Sequence, residues 1–240
     1  MTLFASLFPL LCWFAYNWGI GLIEKRVPSL SVIMSMQRRR WVVNASRRES
    51  PLDAILSGNL MGSVSFLAST SVLLVLAVFT AFGQMEGLLA ALDGIGLPRS
   101  YSVHDVQVQF LVMLALFVGA FFAFTLALRQ FNHFCIMIGA MDHRAQITDA
   151  EIDAITRLNA MGAQNFNNGI RAYYFAVATI AWFAADWAAI ATTLVTVGFL
   201  VHREFFSTAR SVAAAATLIA ARRDAEMRAP APPAELPTEE

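Results

Sequence analysis

Four long apolar segments constrain the fold of this chain more than any other feature of its sequence. They cover residues 2–23, 55–82, 106–128 and 170–201, and the last is interrupted only by Asp186. About 20 helical residues, rising 1.5 Å each, cross the roughly 30 Å hydrocarbon layer of a membrane. A hydrophobic content of 58%, with only 14% charged residues, agrees with such a location. We therefore predict an all-α fold, a polytopic transmembrane helical bundle.

The distribution of charge between these segments predicts the orientation of the chain. The loop 24–54 is rich in basic side chains, namely Lys25, Arg26, Arg38, Arg39, Arg40, Arg47 and Arg48. The loop 83–105 carries Arg99 against Glu86, Asp93 and Asp105. Because basic loops stay on the cytoplasmic side, we place loop 24–54 inside and the N-terminus outside.

The last apolar segment is too long for a single simple span. As one helix of about 30 residues it would extend about 45 Å and hold Asp186 near the membrane centre, where a carboxylate is costly. A helical hairpin turning at "AADW" gives helices 167–185 and 187–206 and brings Asp186 to the far interface. We therefore predict five spans. The alternative is four, if the last segment is one long helix.

The remaining segments indicate how the chain is organised around a bundle of residues 1–210. Thr148 and Glu151 have capping-box spacing at the start of an amphipathic pattern, which predicts a cytoplasmic helix over about 148–162. Residues 211–228 suit a basic cytoplasmic helix or tail, and the Pro-rich, acidic residues 229–240 a disordered tail. The stretch "SVIMSMQRRRWVV" fits either an interfacial segment that attracts anionic headgroups or a stop-transfer charge cluster.

A polar stripe follows the third apolar segment. In "ALRQFNHFCIMIGAMDHR", Arg129, Asn132 and His133 recur at spacings of three and four, which places them on one side of a helix. Either this helix simply leaves the membrane here, or the stripe belongs to a polar junction between helices.

Three stretches together carry a resemblance to a known family. They are "GNLMGSVSFLASTS", "FNHFCIMIGA" and "NFNNGIRAYYFAVATIAWFAADW". The chain resembles, from about residue 10 to residue 210, the bacterial branch of the uncharacterised membrane protein family called domain of unknown function 599. The resemblance implies a multi-pass protein of the bacterial inner (plasma) membrane with no assigned activity, substrate or cofactor. The family usually has a proline before the tryptophan corresponding to Trp187, whereas this chain has Asp186, and either residue suits a turn.

Polar positions that match the family fall at one predicted level, on the cytoplasmic side. Together with the stripe they form a candidate polar junction or headgroup and anion site: Asn59, Arg129, Asn132, His133, Asn167 and Arg171. Such side chains either hydrogen-bond the helices to each other or bind an anion or a lipid headgroup. Gly58 and Gly62 have the small-xxx-small spacing that permits close helix packing.

The sequence contains none of the common catalytic motifs, so it gives no positive indication of an enzyme, and we expect no catalytic residues, metal or cofactor. We predict a scaffold or accessory membrane subunit. A channel or small transporter with a path along Asn59, Ser63, Ser69 and Thr70 is the alternative, and a lipid-headgroup-binding or lipid-modifying protein is the third hypothesis. The expected partners are the bilayer with its anionic headgroups and a second copy or another membrane protein, but no nucleic acid.

The predicted topology is testable with reporter fusions. A reporter fused after residue 210 should be active only on the cytoplasmic side, and one fused at the N-terminus only on the external side. External activity of the fusion after residue 210 would contradict the hairpin.

Overall fold

The chain folds into α-helices throughout its described part. The computed structural model describes residues 2–48, 51–94, 101–142, 144–145 and 147–228. The α-helices in these residues are α1 Thr2–Glu24, α2 Leu30–Ala45, α3 Leu52–Gly83, α4 Met85–Gly94, α5 Val103–Gly139, α6 Asp149–Thr179, α7 Asp186–Phe205 and α8 Thr208–Arg228. The predicted all-α class is confirmed. The predicted tail 229–240 lies outside the described residues.

Four helical stretches are long and apolar enough to cross a membrane. They are Thr2–Glu24, Leu52–Gly83, Val103–Gly139 and Asp186–Glu226, the last being α7 with its continuation into α8. The chain is thus a multi-pass helical membrane protein. α6 is as long as these helices but is not among them, because its first two-thirds are rich in polar side chains.

The last apolar segment is a hairpin and not one helix. α6 ends at Thr179, a short 3-10 helix covers Ile180–Phe183, and α7 begins at Asp186. The Trp182 side chain is fully buried in the core at this turn, whereas Trp187 is exposed. A carboxylate in the middle of a membrane is costly. The turn avoids this cost, because Asp186 starts a helix instead of interrupting one.

α6 begins where the sequence indicates and then continues much further. Thr148 is its N-cap, and the capping box with Glu151 is present. The Thr148 backbone N–H donates to the Glu151 carboxylate at 2.8 Å, and this bond holds the pKa of Glu151 below its usual value. The helix does not end near residue 162. The amphipathic helix and the first part of the fourth apolar segment, up to Thr179, are one continuous element.

The end of the bundle at which α1 and α7 end is here named the basic end. Glu24 of α1 and Glu204 of α7 line the same cavity as Ala160 of α6. The part of α6 before Ala160 therefore projects past the ends of α1 and α7. Phe134, near the end of α5, packs with Ile152 and Ile155 in this projection, so α5 projects as well.

α2 and α8 cover this projection from one side. α2 lies antiparallel to α6, because Ser31 contacts Asn167 while Arg39 reaches Asp149 and Asp153. α8 lies beside α2 and runs parallel to it. Three hydrogen bonds advance along both helices in step: Arg210 to the Pro28 carbonyl, Gln37 to Thr217, and Arg40 to Asp224. The segment "SVIMSMQRRRWVV" is therefore a helix packed on other helices.

The closest helix packing in the fold is between α5 and α6. A Cβ added to Gly162 would lie 2.6 Å from a Phe131 ring carbon, and one added to Gly169 would lie 2.5 Å from a Phe124 ring carbon. The two glycines are seven residues apart, as are the two phenylalanines, so each ring fills a hollow on the facing helix. Gly58 and Gly62 do not have this role, since a Cβ at either would meet nothing within 4 Å.

This packing predicts opposite outcomes for two glycine substitutions. Gly169→Ala forces its methyl group into the buried Phe124 ring and should lower the free energy of unfolding by about 1 to 3 kcal/mol. Gly58→Ala should leave it unchanged or raise it by up to about 1 kcal/mol, because alanine favours the helix and its methyl group meets no described atom within 4 Å. The measurement is denaturant-induced unfolding in detergent micelles. Equal stability of the two variants would contradict the close approach of α5 and α6.

Candidate functional site

The structure separates the six predicted site residues into two groups. Asn59, Arg129, Asn132 and His133 are exposed on the outer surfaces of α3 and α5. Asn167 and Arg171 face inward from α6, and both line one cavity. The structure therefore does not bring these six residues together at one place. The hydrogen bond that joins α5 to α6 at this level runs from Asn165 to Gln130, at 2.7 Å.

The rotation of α6 against α5 explains this separation. Gly169 faces α5, and residues two positions away on a helix point about 160° from it. Asn167 and Arg171 are both two positions from Gly169, so they point away from α5. Arg129 is likewise two positions from Phe131, which faces α6. Because α5 and α6 meet at the glycines, Asn167 and Arg171 of α6 point away from α5, and Arg129 of α5 points away from α6.

The polar side chains of α3 that a channel would require also lie on an outer surface. Asn59, Ser63 and Ser69 are exposed. The Ser63 hydroxyl donates to its own helix at the Asn59 carbonyl, and Thr70 donates to the Phe66 carbonyl in the same way. Within the described residues, the hydroxyl hydrogen bonds of Ser63 and Thr70 therefore stay within α3.

The cavity that holds Asn167 and Arg171 lies at the basic end between α1, α2, α6 and α7. Its volume is about 320 Å³. We name it the Arg171 cavity. Its lining residues are Ile20, Glu24, Leu30, Ser31, Val32, Met34, Ser35, Arg38, Ala160, Ala163, Gln164, Asn167, Arg171, Arg203 and Glu204.

Arg171 is the most buried cation of this cavity, with only 7% of its surface exposed. Its Nη1 donates to the side-chain oxygens of Asn17 and Asn168, at 3.2 and 3.3 Å. The guanidinium carbon also lies 5.1 Å from the centre of the Tyr16 ring, within the range of a cation–π contact. These neutral groups are its partners in the described part of the chain, where it forms no ion pair.

Two further arginines of the lining, Arg38 and Arg203, were not among the predicted site residues. Arg203 donates to the Tyr174 hydroxyl at 3.4 Å, and Arg38 is partly buried on α2. Like Arg171, neither forms an ion pair with a described carboxylate. Burial lowers the pKa of the Arg38 guanidinium, because a charged group loses hydration there. Guanidinium groups nevertheless stay protonated at physiological pH.

The two carboxylates of the lining are directed at the start of α2. Glu204, 7% exposed, accepts a hydrogen bond from the Ser31 backbone N–H at 3.1 Å. Glu24 accepts one from the N-cap hydroxyl of Ser29 at 2.6 Å. Carboxylates are favourable at a helix N-terminus because the unpaired N–H groups and the helix dipole attract negative charge. The lining thus holds three arginines and two glutamates, and both glutamates have a structural partner.

This arrangement suits an anionic ligand better than a metal. Guanidinium groups do not bind cations, but their planar N–H donors match phosphate and carboxylate oxygens. Within the described residues there is no group of three or more histidine, cysteine, aspartate or glutamate side chains that could hold a metal ion.

Comparison with known proteins identifies a family but no close relative. No curated protein and no solved structure matches the chain. A family model described as "Protein of unknown function, DUF599" matches residues 4–209. This match covers most of the chain, including the Arg171 cavity and every helix from α1 to α7. The chain therefore belongs to the DUF599 family.

Proposed function

We propose that this protein is an accessory membrane protein that holds a small anionic group in the Arg171 cavity. The ligand would carry a phosphate or carboxylate group. It would be either the headgroup of an anionic lipid or a free anion. The observation that carries the proposal is the burial of Arg171 with neutral partners only in the described part of the chain.

Electrostatics supports an anion at this position. A guanidinium has five N–H donors, and both recorded hydrogen bonds of Arg171 leave from Nη1. A buried charge is costly unless it is paired and hydrogen-bonded. An anion about 4 Å away would contribute on the order of 4 kcal/mol at an effective dielectric constant of about 20. Arg203 would add a second donor group on the same side of the cavity.

The proposed orientation of the chain would put such a ligand near a membrane surface. We propose that the basic end is cytoplasmic, that the membrane is the inner membrane of a bacterium, and that the second half of α6 is the fifth span. The basic residues of loop 24–54 support the sidedness. The antiparallel packing of α6 on α5 supports the additional crossing. At that depth the cavity would be within reach of lipid headgroups.

A scaffold or accessory role agrees with this site better than transport. The α3 residues that would line a path face outward, whereas the Arg171 cavity lies where four helices meet. A bound anion there would hold these helices together without being consumed or moved.

The test compares two arginine variants that lose the same charge. Arg171→Gln should reduce anionic lipid or phosphate retained by the purified protein at least tenfold, because it removes the buried donor group. Arg129→Gln, whose side chain is exposed, should retain the wild-type amount. Native mass spectrometry gives the bound lipid, and equilibrium binding of inorganic phosphate gives the free anion.

Helix content and thermal stability serve as the control for folding. If the wild-type protein retains neither lipid nor phosphate and Arg171→Gln only lowers its stability, Arg171 has a structural role and the proposal is wrong.

The two asparagines of the predicted junction should also behave differently. Asn167 donates to the Ser31 hydroxyl at 3.2 Å, so Asn167→Ala should lower the free energy of unfolding by about 1 kcal/mol. Asn132 is exposed, and Asn132→Ala should have no measurable effect. Denaturation in the same detergent measures both variants. A larger loss for Asn132→Ala would mean that the α5 stripe faces a partner after all.

A further inference from the structure

Arg38 differs from the two arginines that follow it on α2. Arg39 pairs with Asp149 and Asp153 of α6, both at 2.8 Å, and Arg40 pairs with Asp224 of α8 at 3.2 Å. Arg38 points into the Arg171 cavity and has no ion pair in the described residues. α2 thus presents a partly buried cation, without an ion pair in the described residues, to the cavity that Arg171 also lines.

We infer that the anion of the proposed site bridges Arg38 of α2 to Arg171 of α6, so that ligand occupancy fixes α2, and α8 with it, on the membrane helices. The inference rests on the proposed function and names the regulation of that site. Arg38 then acts as a ligand-binding residue on α2, a helix that is not among the candidate membrane spans.

α2 is attached beside the cavity at its first turn and near its end. Ser31 is held by Glu204 and Asn167, Ile33 is buried, and Val42 is buried in a cluster with Phe134. Between Ile33 and Val42, the side chains of Met34, Ser35 and Arg38 line the cavity. The ion pairs of Arg39 lie at the surface. The Arg39 side chain is 44% exposed, and those of Asp149 and Asp153 are 86% and 63% exposed. Such surface pairs contribute only about 0 to 1 kcal/mol.

The like charges around the cavity make the attachment depend on an anion. Arg38, Arg171 and Arg203 share one cavity of about 320 Å³ with Glu24 and Glu204. The guanidinium groups repel each other across it, and the two carboxylates, which are held at the start of α2, offset this repulsion only in part. An anion between the guanidinium groups replaces this repulsion by two attractive contacts, one on α2 and one on the membrane helices. The closed position of α2 is therefore favoured when the ligand is bound.

The effect would reach the surface of the protein through α8. Gln37 donates to Thr217 at 2.7 Å and Arg40 pairs with Asp224, so α2 and α8 are connected along their length. A ligand in the interior would thereby control a pair of helices at the basic end. This is the arrangement expected of a sensor whose output is the position of two helices.

Hydrogen–deuterium exchange of the full chain tests this coupling. The protein is placed in nanodiscs of phosphatidylglycerol or of phosphatidylcholine alone, and separately in neutral detergent with and without inorganic phosphate. With a bound anion, amides of residues 33–38 should exchange at least tenfold more slowly. Protection in phosphatidylglycerol alone identifies a lipid headgroup, and protection by phosphate identifies a free anion. Either result supports the inference.

Two variants separate the coupling from binding itself. Arg38→Gln should keep the anion on Arg171, with at most a several-fold loss of affinity, but should lose the protection of α2. Arg47→Gln, an exposed arginine outside the cavity lining, should behave as wild type. Unchanged exchange of the amides of α5 and α6 shows that the fold is intact. If Arg38→Gln fails this control, Arg38→Lys, which keeps the charge, should restore both fold and protection.

The outcomes distinguish the two claims. If the wild-type protein binds an anion but α2 exchanges at the same rate with and without it, the inference is wrong and the proposed function stands. The inference is also wrong if α2 of Arg38→Gln stays protected by the bound anion, or if α2 of Arg38→Lys is not protected by it. If no anion binds from either source, the proposed function fails and the inference fails with it.

Discussion

The packing of two phenylalanine rings against two glycines is the contact on which the rest of this structure depends. Phe124 and Phe131 of α5 fill the hollows that Gly169 and Gly162 leave on α6. Without hydrophobic attraction between helices inside a membrane, close van der Waals packing of this kind is what holds helices together. It also fixes the rotation of α6. Asn167 and Arg171 must then face α1, α2 and α7, and the cavity at the basic end follows from that rotation.

The charges of this cavity are arranged by helix termini as much as by pairing. Glu24 and Glu204 accept hydrogen bonds at the start of α2 and form no ion pair with a described arginine. The turn between α1 and α2 is stabilised by this use of the carboxylates. The lining then holds three guanidinium groups against two carboxylates, a surplus of one positive charge facing one small space. An anionic partner balances that surplus with the geometry that guanidinium groups favour.

Much of the architecture could be predicted because it follows from local costs. The hairpin follows from the penalty for Asp186 in mid-membrane, and the start of α6 follows from the capping box at Thr148 and Glu151.

The candidate site could be predicted only in part. Asn167 and Arg171 line the cavity, but which side of a helix faces which neighbour is decided by packing. Gly162 and Gly169 are seven residues apart and form no short motif. Gly58 and Gly62 form one, but a Cβ added to either would meet no described atom within 4 Å. The three consecutive arginines of α2 are visible in the sequence. Their different surroundings are set by the positions of α6 and α8: Arg38 lines the cavity, Arg39 pairs with α6 and Arg40 pairs with α8. A signal for Arg203 and Glu204 did exist, because charged residues directly after an apolar helix mark the level of a membrane surface.

A high-resolution structure of the protein in nanodiscs that contain anionic lipid would show whether an anion occupies the Arg171 cavity. We expect density for a phosphate or carboxylate there, with an oxygen about 2.7 to 2.9 Å from the Arg171 guanidinium. We also expect the same group to contact Arg38. A structure at that resolution in which Arg171 instead pairs with Glu204 or Glu24, or is surrounded by water alone, would show that the cavity does not bind an anion.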